Sequence, residues 1–129
     1  LFFKKYKLSL IVGLIILVLS ALPGYKLPDL RINAGDKIGH LIAYAALAAT
    51  FSAEHARVLR WSSRTGRWLI VVGLICVGYG LVLELLQGSV FYQRTFDYAD
   101  IAANTLGCIV GILTYIFCFT LLKKYERFY

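Results

Sequence analysis

Apolar residues fill four long stretches of the chain, and both prolines fall between stretches. The pattern predicts helices over about 5–23, 36–53, 67–88 and 97–122. A helix that crosses hydrocarbon needs about 20 residues, within a range of about 17–25. Backbone exposed to lipid must satisfy its own hydrogen bonds, so such runs read as helices. The first ends at Pro23-Gly24, a strong stop signal. The second is the shortest and carries His40 near its start. The expected fold is all-α: a polytopic membrane protein, a single domain over 1–129, with four transmembrane helices in a bundle.

Polar residues interrupt this pattern at one end of the runs. They are Asp36 and His40, then Glu84 and Gln87, then Arg94, Asp97, Asp100 and Asn104. Ionisable groups inside a bilayer are costly, usually face the protein interior, and mark candidate sites. These come from three separate segments, and an up-and-down topology brings them to the same membrane face.

Spacing along each helix gives a first map of that site. Asp36 and His40 are four residues apart and share a face, with Tyr44 one turn deeper. Asp36 follows Asn33-Ala-Gly and fits a helix N-cap. It also fits a carboxylate that orients an imidazole and raises its basicity. His40 falls about 6 Å below Asp36 along the axis; it reads equally as a satisfied structural histidine. Glu84 and Gln87 continue the face of Gly73, Val77 and Gly80, whose small residues let backbones approach. Glu84 is therefore expected to point inward, either as a buried structural partner or as a functional acid. In the last helix Asp97, Asp100, Asn104, Gly107 and Gly111 recur at steps of three and four. Asp97 fits an N-cap and Asp100 an acid in the first turn, where the helix dipole favours it. Asn104 lies about 10 Å deeper than Asp97, and capping does not explain it. Arg94 fits a partner for Glu84 or Asp97, or a fork that binds phosphate or carboxylate.

Composition sharpens the class. The 129 residues are 60% hydrophobic, 15% aromatic and 16% charged, with a mean hydropathy of +0.72. That balance is ordinary for a polytopic membrane protein and poor for a soluble globule. The net charge of +7 comes from 14 basic and 7 acidic residues. The basic residues flank the spans and form no basic domain, so the expected electrostatic partner is anionic lipid, and no nucleic acid. Lys4, Lys5, Lys7, Arg57, Arg60, Arg64, Arg67, Lys123, Lys124 and Arg127 fall on one side. Only Lys26, Arg31, Lys37 and Arg94 fall on the other. The positive-inside rule then puts both termini in the cytoplasm and the polar cluster on the opposite side.

Other chemistry is sparse. Cys76, Cys108 and Cys118 lie in apolar runs without metal-ligand spacing and read as packed thiols. An Asp/Glu/His cluster can hold a divalent metal, but no spacing here is diagnostic, so neither metal nor cofactor is expected. No nucleophile-elbow spacing surrounds Ser89. Glu54 and Arg57, three apart, read as a surface pair. The first apolar run follows a basic segment and ends near Ser20-Ala21-Leu22, as a signal peptide does. Its length and the spans that follow favour a retained helix. The chain opens on Leu1 and not Met, which leaves room for residues upstream.

Three stretches carry a family resemblance. They are Asp36-Lys-Ile-Gly-His40-Leu-Ile-Ala-Tyr44, Glu84-Leu-Leu-Gln87, and Arg94-Thr-Phe-Asp97-Tyr-Ala-Asp100-Ile-Ala-Ala-Asn104-Thr-Leu-Gly107. In order and spacing the chain resembles the VanZ-like family of bacterial membrane proteins. The first span, the Arg loop and the tail match in hydropathy alone, and the Pro-Gly turn that some members carry before Arg94 is missing. The resemblance implies a small multi-pass protein of the bacterial cytoplasmic (inner) membrane. The family takes its name from a member associated with resistance to teicoplanin, a glycopeptide that binds peptidoglycan precursors outside the cell.

Three functional readings follow. In the first, the cluster binds a lipid-linked cell-envelope molecule or an amphiphilic glycopeptide. Arg94 takes the anionic group, Gln87 and Asn104 bond sugar or amide, and Asp97, Asp100 and Tyr44 complete the binding set. In the second, a membrane-embedded hydrolase or transferase uses Glu84 or His40 as general base with Asp36 behind His40. In the third, the network only locks the helices, and the apolar exterior docks a larger membrane complex or a second copy.

Overall fold

The computed structural model describes residues 1–22, 33–59, 65–91 and 95–127. Among them five helices follow one another: α1 Phe2–Lys5, α2 Lys7–Ala21, α3 Asn33–Leu59, α4 Thr65–Ser89 and α5 Tyr98–Glu126. No strand occurs among the described residues. The fold is all-α, as the apolar runs predict.

The first span is shorter than the apolar run suggests. Tyr6 leaves helical geometry at φ −120° and ψ 33° and separates α1 from α2. The 15 residues of α2 cover roughly 22 Å at helical rise. Its end at Ala21 has a local cause: Leu22 precedes Pro23 and adopts ψ 138°, the extended conformation that a following proline imposes. The Pro-Gly stop itself lies outside the described residues.

α3 is longer than predicted. It starts three residues earlier than Asp36 and continues past Ala53 to Leu59. Asp36 is therefore not its N-cap but an acid within its first turn. α4 and α5 follow the predicted bounds closely, and Asp97 does cap α5: its side chain accepts the Ala99 N–H at 2.8 Å. α4 and α5 are long and apolar enough to cross a membrane. α2 is apolar but short, and α3 is interrupted by Asp36, Lys37, His40 and Glu54.

Packing explains which faces are inside. α3 and α5 run in the same direction and touch backbone to backbone. A Cβ on Gly107 would collide with the Leu41 carbonyl oxygen, and one on Gly111 with that of Ala45. Gly80 of α4 leaves room for the Tyr44 ring and the Asn104 amide, which a Cβ there would meet at 3.0 and 3.1 Å. Gly73 does the same for Ile112. The apolar centre comprises Ile16, Tyr44, Leu47, Ala48, Val72, Cys76, Leu83 and Cys108. Cys76 and Cys108 are packed thiols within it, whereas Cys118 faces outward.

The distribution of polarity is inverted relative to a water-soluble bundle. Ser9, Ser20, Ser52, Glu54, Glu84, Gln87, Asp100 and Asn104 are buried. Leu74, Ile75, Val82 and Leu85 of α4 and Ile109, Val110, Leu113 and Phe117 of α5 point outward. Apolar surface on this scale, facing out from long helices, suits a lipid solvent.

The end of the bundle remote from the polar cluster has its own lock. Glu54 is buried, not the surface residue its spacing from Arg57 suggested. Its carboxylate accepts the N–H groups of Leu8 and Ser9 at 2.8 and 3.0 Å and also the Ser9 hydroxyl. It thereby caps the start of α2, whose first N–H groups have no partner within the helix. Beside it, the Tyr6 hydroxyl is 2.7 Å from His55 Nδ1, and Phe51 and Trp68 pack around the His55 ring.

Candidate functional site

The site is built where α3 and α5 begin and α4 ends. On α3, the four-residue step from Asp36 to His40 puts both on the face toward α5. On α5, the same step joins Asp100 to Asn104. Because Gly107 brings the two backbones together one turn deeper, these short side chains can meet.

His40 is the centre of the arrangement. Its Nδ1 lies 2.9 Å from Asn104 Oδ1. An amide oxygen only accepts, so Nδ1 carries a proton, and Nε2 is the lone-pair atom of a neutral ring or the second N–H of a charged one. Nε2 faces Asp100 Oδ2 at 3.6 Å and Asp36 Oδ1 at 3.9 Å. The oriented partner of the imidazole is therefore Asn104, and Asp36 stands at the other nitrogen beyond hydrogen-bond distance. Asp100 and Asn104 are buried, with the Asp100 side chain 7% exposed. Asp36, at 56%, lies at the rim.

Lys37 supplies positive charge to the cluster. Its Nζ is 3.0 Å from Asp97 Oδ2 and 3.3 Å from Asp100 Oδ1. The Ala99 N–H and the Lys37 ammonium together hold the Asp97 carboxyl below the usual carboxylate range. A signal for Lys37 was present in the sequence: a cation in the first turn of a helix opposes the helix dipole, so a tertiary partner was needed. Arg94 lies outside the described residues.

Glu84 and Gln87 point inward, as the small-residue face predicts, and both reach backbone. Glu84 is 1% exposed and its Oε1 accepts the Asp97 N–H at 2.7 Å. It anchors the segment entering α5. Gln87 donates from Nε2 to the Ser20 carbonyl at 3.3 Å and so holds the end of α2. Tyr44 is buried beneath Asn104, its ring against Gly80. The structure thus brings Asp36, His40, Asp97, Asp100 and Asn104 together, joins Glu84 to them through the Asp97 backbone, and turns Gln87 toward α2.

The described residues thus form an all-helical fold with two helices long and apolar enough to cross a membrane, outward apolar faces and an inward acid–imidazole–amide cluster. A model of the VanZ/LLP1 family matches residues 3–120, and the chain belongs to that family. An uncharacterised protein of fission yeast, Schizosaccharomyces pombe, is 34% identical over 112 residues, covering 86% of this chain. The chain spans 64% of that relative's length. No solved structure matches.

Proposed function

We propose that this chain is a multi-pass membrane protein that holds the polar headgroup of an amphiphile at a non-cytosolic leaflet. In this reading α2, α3, α4 and α5 all cross the bilayer, and both termini lie in the cytoplasm. The charge asymmetry of the flanks supports that orientation. The observation that carries the binding reading is the His40–Asn104 pair, 2.9 Å apart and joined to Asp100 and Lys37, inside an otherwise apolar bundle. Buried polar groups are costly unless matched, and this group opens at its Asp36 edge.

The ligand class is an amphiphile whose head offers phosphate, sugar or amide: a lipid-linked envelope precursor, or in a bacterial host an amphiphilic glycopeptide such as teicoplanin. Lys37 and Arg94 supply cations, and Asp36 and Asp97 supply acceptors at the rim.

A second reading is favoured by Glu84 and Gln87, which bond to backbone at Asp97 and Ser20. There the network locks the helices, and the apolar exterior docks a larger complex or another copy. Mass spectrometry of lipid co-purified with the wild type, Asp36→Asn and Lys37→Ala separates the two. Enrichment of one headgroup class, lost in the rim variants at unchanged protein abundance, supports binding. Bulk phospholipid alone in the wild type overturns it.

A further inference from the structure

We propose that Asp36, His40 and Asp100 bind one divalent transition-metal ion of the zinc class. This deepens the headgroup reading, on whose site it rests. The three donor atoms, one from each residue, all lie within 4.8 Å of one another. The separations from Nε2, 3.6 and 3.9 Å, approach the roughly 3.4 Å kept by neighbouring ligands about 2.0–2.1 Å from a tetrahedral zinc ion.

Three further observations bear on a cation. First, Asn104 outside the triad accepts from Nδ1 at 2.9 Å. In the neutral ring this leaves Nε2, on the side of two carboxylate oxygens, as the lone-pair atom. A hydrogen-bonded distal nitrogen is the usual device that fixes a ligating histidine. Second, 3.6 and 3.9 Å are too long for hydrogen bonds, so what holds the two acids at the imidazole is charge: an ion pair with a protonated ring or a cation between them. The Asp100 side chain is over nine-tenths buried, and it divides its oxygens: Oδ1 toward Lys37, Oδ2 toward the imidazole. Third, Lys37 pairs with Asp97 and Asp100, and among the described residues no lysine or arginine pairs with Asp36 or Glu84. A divalent ion offsets negative charge of this kind where water is scarce.

One imidazole with two carboxylates suits zinc, manganese or iron better than calcium or magnesium, which prefer oxygen alone. Three protein ligands leave a coordination position open, at the Asp36 rim. An anionic headgroup oxygen or water can fill it. The sequence pattern led to no metal because the ligands come from two helices, and only Asp36 and His40 have a local spacing.

The test uses the full chain purified in detergent, stripped with chelator and dialysed against zinc chloride, with metal per chain measured by inductively coupled plasma mass spectrometry. The expected result is about one zinc per chain. His40→Ala and Asp100→Asn weaken binding at least tenfold, while His55→Ala, at the far end, leaves it unchanged. Circular dichroism confirms that each variant keeps its helices. Cobalt substitution of the wild type adds a readout free of mutation: visible d–d bands of a low-symmetry nitrogen–oxygen site. Substoichiometric zinc with no cobalt bands overturns the proposal, as does full binding in both ligand variants. Zinc failure with retained headgroup enrichment removes the metal alone; zinc binding without enrichment removes the headgroup reading alone.

Discussion

His40 on α3 and Asn104 on α5 meet at 2.9 Å across the closest helix pair in the molecule. The contact depends on the backbone approach at Gly107 and Gly111 one and two turns deeper. It orders the imidazole and, through it, the facing acids.

Breaking that pair leaves a buried polar group unmatched. His40→Ala and Asn104→Ala are each expected to destabilise the fold by about 1–3 kcal/mol. In a double-mutant cycle their coupling is expected near 0.6 kcal/mol and under about 1.7 kcal/mol, the range for hydrogen bonds between membrane helices. Reversible unfolding in mixed micelles measures it. Strict additivity would show that the two side chains do not interact.

Gly111→Ala and Gly78→Ala provide a matched contrast. A Cβ at Gly111 collides with the Ala45 carbonyl, whereas at Gly78 nothing lies within 4 Å. Gly111→Ala is expected to cost about 1–3 kcal/mol by forcing α3 and α5 apart. Gly78→Ala is expected to be neutral or to gain up to about 1 kcal/mol from helix propensity. Thermal unfolding of the two variants in the same detergent checks the order.

Asp97→Ala removes both the α5 cap and a partner of Lys37 and is expected to lower stability. The exposed ion pair adds little. The sign of the acid response follows from the depressed carboxyl. Its stabilising contribution is complete above the unfolded-state pKa and disappears as pH falls through the lower folded-state value. Stability of the wild type is therefore expected to fall more steeply than that of Asp97→Asn below the usual carboxylate range. Parallel acid titrations followed by circular dichroism would show no difference if the cap were unimportant.

Glu54→Ala is expected to free the start of α2. It leaves the Leu8 and Ser9 N–H groups without their acceptor, at about 1–3 kcal/mol for buried groups. A cysteine placed at Leu8 should then react faster with a water-soluble maleimide than in the parent. Equal rates would mean that α2 is held by its apolar face alone.

Much of the fold was legible in the chain because helix formation is local. The Pro-induced end of α2, the Asp97 cap, the shared face of Asp36 and His40, and the small-residue stripes through Gly80 and Gly107 all depend on spacing within one element. The inward direction of Glu84 and Asn104 followed from those stripes. The partners did not. Asn104 in place of Asp36 as the residue that orders His40, Lys37 joining Asp97 to Asp100, Gln87 reaching Ser20 and Glu54 capping α2 are all pairings between elements.

By itself the sequence determined the helices, the end of α2 before Pro23, the start of α5 at Asp97 and the faces that carry polar groups, since each is set by neighbours within a turn or two. Only the tertiary structure decided which of those polar groups touch. That choice rests on the rotation and separation of whole helices, which the packing of glycine against carbonyl at Gly107 and Gly111 sets one and two turns below the site.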